Sequence, residues 1–348
     1  MNKLPFSKLA LDITEEEYRS IPYYNYSLLS SFENMGPKVL KDGEYFPPSD
    51  RQIIGSLVDC LLTTPDKIDD LFYYQEINKP TDAMCTVLQD IYNETNINKF
   101  SEIPNEIILD TLIKYNYYNN YKPETKLNKV KTEGEDYYNI LSIIKDKLII
   151  TKDQLEDAKN AVETLKTHEY TKHIFETGDG IELLFQPKFS VDIDGYKVKG
   201  MMDIIKVDHN TKSIKIYDLK VTSLSELDFD KAVINYNYYI QATLYSQIIK
   251  ELINYYEEYI DYTISCFSFI IINEKNLTPI IWDFMDYLWE GEFITKYKQV
   301  KKSWRQLIDE IEWHKEKNNF SYPRYIIENK GKALITSIIA KVDYNYVL

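Results

Sequence analysis

The chain has 348 residues, of which 44% are hydrophobic and 14% aromatic, a composition typical of globular proteins and not of disordered ones. Its net charge of −14 argues against a protein that coats nucleic acid nonspecifically, although basic residues confined to one channel would still permit nucleic-acid chemistry. No apolar run approaches the ~20 residues that span a bilayer, and the amino terminus lacks the apolar core of a secretory signal. We therefore expect a cytoplasmic protein without membrane contact.

The cysteines and tyrosines of the chain bear on which metal sites, disulfides and base contacts the protein could have. The three widely spaced cysteines, Cys60, Cys85 and Cys266, predict neither a disulfide framework nor a Cys-x-x-Cys metal site. An iron–sulfur cluster held by four cysteines is excluded, and a reduced compartment is favoured. The 31 tyrosines are explained by AT-rich coding at least as well as by a role in base stacking.

The first fifty residues predict two short helices. Thr14 precedes three glutamates, which is typical of a helix start with acids in the first turn. Ser27 or Ser30 could cap a second helix that ends before Gly36. Ser27 is therefore interpreted either as a simple helix cap or as a group that holds a phosphate or a strand end at the helix start.

Residues 53–64 form a mostly apolar helical run that Pro65 ends. Asp59 is the one charge inside this run, and a buried carboxylate is costly unless it is paired or binds a metal. Asp59 is therefore either a metal ligand or a solvent-facing, ion-paired residue.

Polar and helical patterns alternate between residues 75 and 150, with a loop expected from about Tyr121 to Gly134. This stretch predicts a helical insertion that could shape an oligomer contact or a channel. A clearer amphipathic helix begins at Thr151, where apolar residues recur at helical spacing.

The stretch from Ile181 to Ile193 predicts a strand that turns at Asp194-Gly195, a strong two-residue hairpin signal. Pairing across this turn places Gln186 opposite Asp203, close enough to hydrogen-bond substrate or water. Glu182 lies on the same face several residues away, where it could assist the site or simply be a charge at the strand end.

Residues 200–220 have two arms rich in β-branched and aromatic residues around a polar break at 209–212, which predicts two antiparallel strands. In the expected register Asp203 faces Asp218, and facing like charges oppose folding unless a cation lies between them. Lys220 follows Asp218 by two residues, so its side chain points to the same face. Two carboxylates and one ammonium on one sheet surface predict a divalent-metal site of the nuclease kind.

A helix is predicted next, from about Phe229 to Tyr255. Gln241 and Tyr245 lie one turn apart on one face of this helix. They either pack on the sheet or face the two acids, where they would contact DNA or order the site.

The last third of the chain predicts a buried central strand over Tyr262–Ile272, a further strand near Thr278, and a long amphipathic helix from Met285 to about Lys317. That helix carries the densest basic cluster, which is either a solvated face or a contact for the DNA backbone. The cluster consists of Lys296, Lys298, Lys301, Lys302 and Arg305.

The ordered set Gly200-x-x-Asp203, Asp218-x-Lys220 and Gln241-x-x-x-Tyr245 resembles the signature of PD-(D/E)xK nucleases, in the branch of RecB-type nucleases and lambda-type exonucleases. It is similar in particular to the exonuclease VIII group of phage recombination exonucleases. In that group a histidine ligand stands at the place of Asp59, whereas lambda-type exonucleases use an acid in this element.

The resemblance implies an α/β fold, with a mixed central sheet flanked by helices, a helical N-terminal region and a helical insertion. It implies catalytic roles for Asp203, Asp218 and Lys220, and one or two Mg²⁺ or Mn²⁺ ions held by Asp59, both hairpin acids and the Leu219 carbonyl. Lys220 would orient or deprotonate the attacking water, since a lysine pKa falls readily in a dehydrated site. The residues expected to contact DNA are Gln241, Tyr245, Ser27 and Gln186.

The same resemblance divides the chain into an N-terminal helical part (1–74), an insertion (75–150), a nuclease core (151–330) and a tail (331–348). It implies an exonuclease that degrades linear duplex DNA from 5′ to 3′, in a bacterial host cytoplasm if the protein is phage-encoded. Its partners would be duplex DNA ends, a single-strand annealing protein and further copies of the chain in a ring. The alternatives are a catalytically inactive fold that binds DNA ends or proteins, and an acidic scaffold in which the motif is chance.

Overall fold

The computed structural model describes residues 4–42, 50–75, 80–144, 147–285, 291–295 and 300–332. Within these ranges the protein is a mixed α/β structure, in which a mixed five-stranded sheet is flanked by helices. This coarse class is the one that the sequence predicted. The expected tail at 331–348 lies, apart from its first two residues, outside the described residues.

The described strands form one large sheet and three small ones. They are β1 (Phe72–Tyr74), β2 (Leu148–Ile150), β3 (Ile181–Phe185), β4 (Lys188–Ile193), β5 (Tyr196–Met201), β6 (Ile204–Asp208), β7 (Ser213–Thr222), β8 (Thr263–Asn273), β9 (Pro279–Phe284), β10 (Phe293–Ile294) and β11 (Val300–Lys301). The central sheet has the order β3-β6-β7-β8-β9. Strands β7 and β8 are parallel, and the other neighbours in this sheet are antiparallel.

The described helices fall into an N-terminal group, an insertion and a group around the sheet. They are α1 (Glu15–Ser20), α2 (Tyr26–Met35), α3 (Val39–Asp42), α4 (Asp50–Thr63), α5 (Ile68–Leu71), α6 (Asp82–Thr95), α7 (Asn105–Lys114), α8 (Pro123–Ile144), α9 (Lys152–Thr167), α10 (Lys172–Phe175), α11 (Phe229–Asn235), α12 (Tyr238–Tyr255), α13 (Trp304–Lys317) and α14 (Arg324–Glu328). Helices α1 and α9 start with capping boxes at Thr14 and Thr151, where the sequence predicted helix starts. Helices α11 and α12 supply the crossover that parallel strands require between β7 and β8.

Both predicted hairpins form in the expected registers. Ile193 pairs with Tyr196 across the Asp194-Gly195 turn, whose two residues have φ angles of 53° and 90°. Positive φ at both turn residues matches the twist of antiparallel strands. Across the second turn Val207 pairs with Ile214, the register that was predicted for residues 200–220.

The predicted single strand over residues 181–193 is wrong in one respect. It is interrupted at Gln186-Pro187, which separates β3, paired with β6, from β4, paired with β5. Gln186 has a φ of 46°, a region that costs a non-glycine residue on the order of 1 kcal/mol, and proline cannot donate to the ladder. The interruption turns the Gln186 side chain away from the regular strand pattern.

Helix α2 is capped by neither predicted serine. The Asn25 side chain accepts the Leu28 N–H as the cap, and Ser27 lies in the first helical turn. Ser30 Oγ instead donates to the Tyr236 carbonyl. The predicted end before Gly36 is confirmed.

Three predicted elements differ in extent. The helix expected from Phe229 to Tyr255 is broken between α11 and α12, where Asn237 adopts a left-handed φ of 57°. The loop expected up to Gly134 ends at Pro123, which begins α8. The helix expected from Met285 begins only at Trp304, and residues 286–290 and 296–299 lie outside the described residues.

The central sheet packs apolar residues on both faces. Ile214 and Ile216 of β7 belong to a cluster with α12 and α13, whereas Tyr217 and Leu219 belong to a cluster with α4 and α9. Because successive strand residues point to opposite faces, Asp218 lies on the face that packs against α12.

Helices α6, α7 and α8 pack around a hydrophobic cluster of their own. The strands at the two ends of this insertion, β1 and β2, pair in parallel. Across the described ranges, no helix combines the length and the apolar character that a membrane crossing requires. The three cysteines are free thiols.

Candidate active site

The two hairpin acids meet at the end of the β6–β7 ladder. Asp203 immediately precedes β6, one position beyond the pair Ile204–Tyr217, and Asp218 lies within β7. The Leu219 N–H donates to Asp203 Oδ2 at 2.7 Å, which fixes the Asp203 carboxylate beside the β7 backbone. The structure therefore brings together the two carboxylates that the register predicted.

Asp218 is the most buried acid of the site, with 2% of its surface exposed. Gln241 Nε2 donates to its Oδ1 at 2.5 Å, and Lys220 forms an ion pair with its Oδ2. Burial of a charge is tolerated when it is paired and hydrogen-bonded, and both conditions hold here. Gln241 thus faces the acids from α12, as one of its two predicted roles requires.

Lys220 is the cation of the cluster. Its side chain is 21% exposed, and Nζ lies 4.8 Å from the centre of the Tyr238 ring. Burial by itself lowers the pKa of Lys220, but the Asp218 and Asp203 carboxylates raise it above its ordinary value. The expectation of a lowered lysine pKa is therefore wrong for this arrangement, in which Lys220 is an ammonium that balances acids.

Burial, with a smaller contribution from neighbouring carboxylates, raises the pKa values of Asp203 and Asp59. Burial, followed by the charges of Asp218 and Asp59, raises the pKa of Asp203 well above its usual range. Burial raises the pKa of Asp59 to about 6, with Asp218 adding to the shift and Gln186 opposing it. The carboxylates of Asp59 on α4, Asp203 just before β6 and Asp218 on β7 are thus close enough to perturb one another.

Asp59 is half-buried and connected to the hairpin through Gln186. Gln186 Nε2 donates to Asp59 Oδ2 at 2.7 Å, and the Gln186 N–H donates to the Asp203 carbonyl at 3.0 Å. The Gln186 side chain therefore orients an acid of the site, whereas the sequence predicted that it contacts substrate or water. Glu182 lies at the other end of β3, where it binds the Phe6 and Ser7 amides and His209.

The oxygen atoms of the site suit a hard divalent cation. Within the part of the chain that the structure describes, Asp59 Oδ1 and Gln241 Oε1 are buried without a hydrogen-bond partner. Carboxylate and amide oxygens are the ligands that Mg²⁺ accepts. However, no three His, Cys, Asp or Glu side chains among the described residues are grouped as ligands of one ion. Leu219 contacts the site through its N–H, and the role of its carbonyl as a ligand stays a prediction.

Tyr245 lies one turn beyond Gln241 and is buried beneath the acids. Burial raises its pKa well above the usual range, and the nearby Asp218 and Asp203 carboxylates add to the shift. A Cβ on Gly200 would lie 3.0 Å from Tyr245 Cε1 and 3.1 Å from Ile248 Cδ1. Gly200 thus lets α12 approach the sheet closely enough for Gln241 to reach Asp218.

Ser27 is exposed in the first turn of α2. Its neighbour Tyr26 lies within the electrostatic reach of Lys220, which opposes the rise in the Tyr26 pKa caused by burial. The amino-terminal end of α2 is therefore near the acids, but whether Ser27 contacts DNA stays a prediction.

Tyr238 is a site residue that the sequence analysis did not identify. It supports the Lys220 ammonium from α12, three residues before Gln241 and so on the same helix face. That spacing from the Gln-x-x-x-Tyr element is the signal that could have found it.

The described part of the basic cluster is paired with acids of the protein. Lys301 approaches Glu33 at 4.0 Å, Lys302 contacts Glu310 at 2.6 Å, and Arg305 contacts Asp194 at 3.1 Å. Lys301 lies in β11 and Lys302 precedes α13, so the prediction that one helix carries the cluster is wrong for these two residues, and a contact with the DNA backbone stays a prediction. Lys296 and Lys298 lie outside the described residues.

No known protein-family profile matches the chain, and no curated protein matches it significantly. Function is therefore inferred from the geometry of the site.

Proposed function

We propose that the protein is a metal-dependent exonuclease that hydrolyses linear duplex DNA from 5′ to 3′ in phage-type recombination. The observation that carries the proposal is the cluster of Asp203, Asp218 and Lys220 at one end of the β6–β7 hairpin, coupled to Asp59. The motif order supports the finer assignment to a PD-(D/E)xK fold of exonuclease VIII type. That assignment carries with it a ring-shaped oligomer, an annealing-protein partner and a cytoplasmic location.

Asp203 and Asp218, with Asp59 beside them, would hold one or two Mg²⁺ or Mn²⁺ ions. Such an ion lowers the pKa of a bound water and stabilises charge on the phosphate. Lys220 offsets the negative charge that develops on the phosphate, and the Tyr238 ring keeps its ammonium in place. Gln241 orients Asp218 and Gln186 orients Asp59.

The test is digestion of linear and covalently closed circular duplex DNA with Mg²⁺, Mn²⁺ or EDTA. We expect the wild type to degrade only the linear duplex and only with a divalent ion. Asp218→Ala and Lys220→Ala should both lose this activity. Activity that persists in both variants would overturn the catalytic assignment.

A second candidate is a catalytically inactive fold that binds DNA ends or another protein. It is favoured by the absence, among the described residues, of three acids or histidines grouped about one point, and by the ion pair that already engages Asp218. Titration calorimetry with Mn²⁺ separates the candidates. An enzyme of the proposed kind binds the ion and loses it on Asp218→Ala, whereas the second candidate binds DNA ends without the ion.

A further inference from the structure

Tyr236 presents an aromatic ring to solvent beside the site. Its surface is 53% exposed at the junction of α11 and α12. The ring centre lies 5.6 Å from that of Tyr238, with 40° between the planes, and Lys220 Nζ lies 4.8 Å from the Tyr238 ring. An exposed aromatic surface is therefore separated from the Lys220 ammonium by one ring.

The backbone beneath this ring is held by helix α2. Tyr26 Oη donates to the Tyr236 carbonyl at 3.0 Å, and Ser30 Oγ donates to it at 3.3 Å. The next residue, Asn237, is fully buried, and its Nδ2 donates to Asn34 Oδ1 at 2.9 Å. Because these contacts fix the junction, the ring is presented from a defined position.

Tyr238 has less free ring surface than Tyr236. It packs against Phe229, with ring centres 5.8 Å apart and planes at 20°, and against Phe269 at 5.9 Å. Lys220 also lies over it. A planar ligand that approaches the Lys220 side of the site would therefore meet the exposed ring of Tyr236.

We propose that Tyr236 stacks on the nucleobase next to the phosphate that Lys220 contacts. This inference rests on the proposed function, because it concerns the substrate of the same site. Tyr236 and Lys220 are both neighbours of the Tyr238 ring, so a strand end whose phosphate meets Lys220 brings an adjacent base near Tyr236. Every nucleobase has a π face, so the contact holds the strand end without selecting sequence.

The experiment uses a short blunt duplex with 2-aminopurine as a terminal base, in Ca²⁺ to prevent hydrolysis. We expect fluorescence quenching on binding to the wild type and to Tyr236→Phe, which retains the ring. Tyr236→Ser should remove the quenching and weaken binding by about five- to a hundredfold. The matched control is Tyr255→Ser, because Tyr255 is 79% exposed at the carboxyl end of α12, far along the chain from Tyr236. It should behave as wild type.

The proposal is overturned if Tyr236→Ser and Tyr255→Ser bind and quench equally, if Tyr236→Phe fails like the serine variant, or if the wild type binds no duplex. Circular dichroism melts of all four proteins identify any variant that fails to fold, and Tyr236→Leu, which keeps bulk without a π face, then replaces Tyr236→Ser, with quenching expected to be lost. Failure of the proposed function has a different signature. Quenching that depends on Tyr236 without any Mg²⁺-dependent hydrolysis would reject the exonuclease and retain the stacking residue.

Discussion

The helical insertion and the β7–α12–β8 unit bury very different side chains. Among the described residues of α6–α8, the buried polar side chains are Thr111 and Lys126, and Thr111 Oγ is satisfied by the Ile107 carbonyl of its own helix. The segment from β7 through β8 buries a much larger polar set. It comprises Asp218, Asn237, Gln241, Thr243, Ser246, Gln247, Ser268 and Asn273.

The buried polar groups show that the segment from β7 through β8 is less favourable for stability than an all-apolar core would be. A buried polar group stabilises a fold poorly compared with an apolar one, and a buried charge is costly unless it is paired. The insertion therefore has the composition of a structural element, whereas the β7–α12–β8 unit keeps Asp218 buried beside Asp203 and Asp59, which come from neighbouring elements. The first three predictions below compare a residue at or near the site with a similar residue of the insertion, and the fourth compares the stability of one variant with that of wild type across pH.

Asp218→Asn should have the largest effect. Mg²⁺-dependent hydrolysis should fall at least about a hundredfold, since several kcal/mol of charge stabilisation are lost. The amide keeps the shape of the side chain and removes a like charge beside Asp203, but it also removes the ion-pair partner of Lys220, so the urea midpoint should decrease less than in Lys220→Met. The insertion control, Asp110→Asn, should change neither quantity. Equal activities of Asp218→Asn and Asp110→Asn in a nuclease assay would contradict the assignment of Asp218 to the active site.

Lys220→Met should reduce both activity and stability. It leaves Asp218 and its neighbouring acids without their cation, which should lower the free energy of unfolding of the metal-free protein by about 3 kcal/mol. Hydrolysis should decrease roughly a hundredfold. Lys114→Met is the control, since Lys114 pairs with Asp90 at 2.7 Å on the exposed surface of the insertion and should contribute nothing measurable. Urea titrations in EDTA measure the free energy of unfolding of both variants. Equal losses of stability in Lys220→Met and Lys114→Met would show that Lys220 does not balance the acids.

Gly200→Ala should destabilise by about 1–3 kcal/mol, because the new Cβ meets the ring of buried Tyr245 and the Ile248 side chain. The displaced helix should also move Gln241 away from Asp218 and reduce hydrolysis. Gly134→Ala in α8 is the counterpart, with a Cβ that would lie 2.7 Å from Leu88 Cδ1, the end of a side chain that can rotate away. Alanine improves helix propensity there by up to about 1 kcal/mol, so the net change should be smaller. A larger loss for Gly134→Ala would contradict the role of Gly200.

Asp59→Asn should have the smallest effect, and one that depends on pH. Folding raises the pKa of Asp59 to about 6, so the folded protein retains a proton that the unfolded chain has lost. Asp59 therefore favours folding at low pH, and this contribution disappears as the pH rises through about 6. In EDTA, Asp59→Asn should be more stable than wild type by about 1–2 kcal/mol near pH 8, and the difference should shrink towards about pH 5. A stability difference between Asp59→Asn and wild type that does not vary with pH would refute the raised pKa of Asp59.

Local sequence signals predicted the hairpins and the pairing of their residues. Asp194-Gly195 and the polar break at 209–212 fix where the strands turn, and side-chain alternation then determines that Asp203 and Asp218 lie together. The break at Gln186 was missed although Pro187 directly follows it and cannot donate to a strand ladder, and the break at Asn237 was missed because that residue is held by a distant partner. Gln186 binds Asp59 from α4, and Asn237 binds Asn34 from α2.

The sequence by itself determined the composition of the site, namely two acids and a lysine on one surface of a hairpin followed by a glutamine on the next helix. The tertiary structure decided which further side chains contact these groups and in which direction their pKa values shift. Packing of α12 against β5, with Tyr245 against Gly200, brings Gln241 and Tyr238 to Asp218 and Lys220, and α4 adds Asp59. The lysine pKa is raised and not lowered because Coulomb attraction by neighbours outweighs burial, and that balance depends on distances between residues remote in sequence.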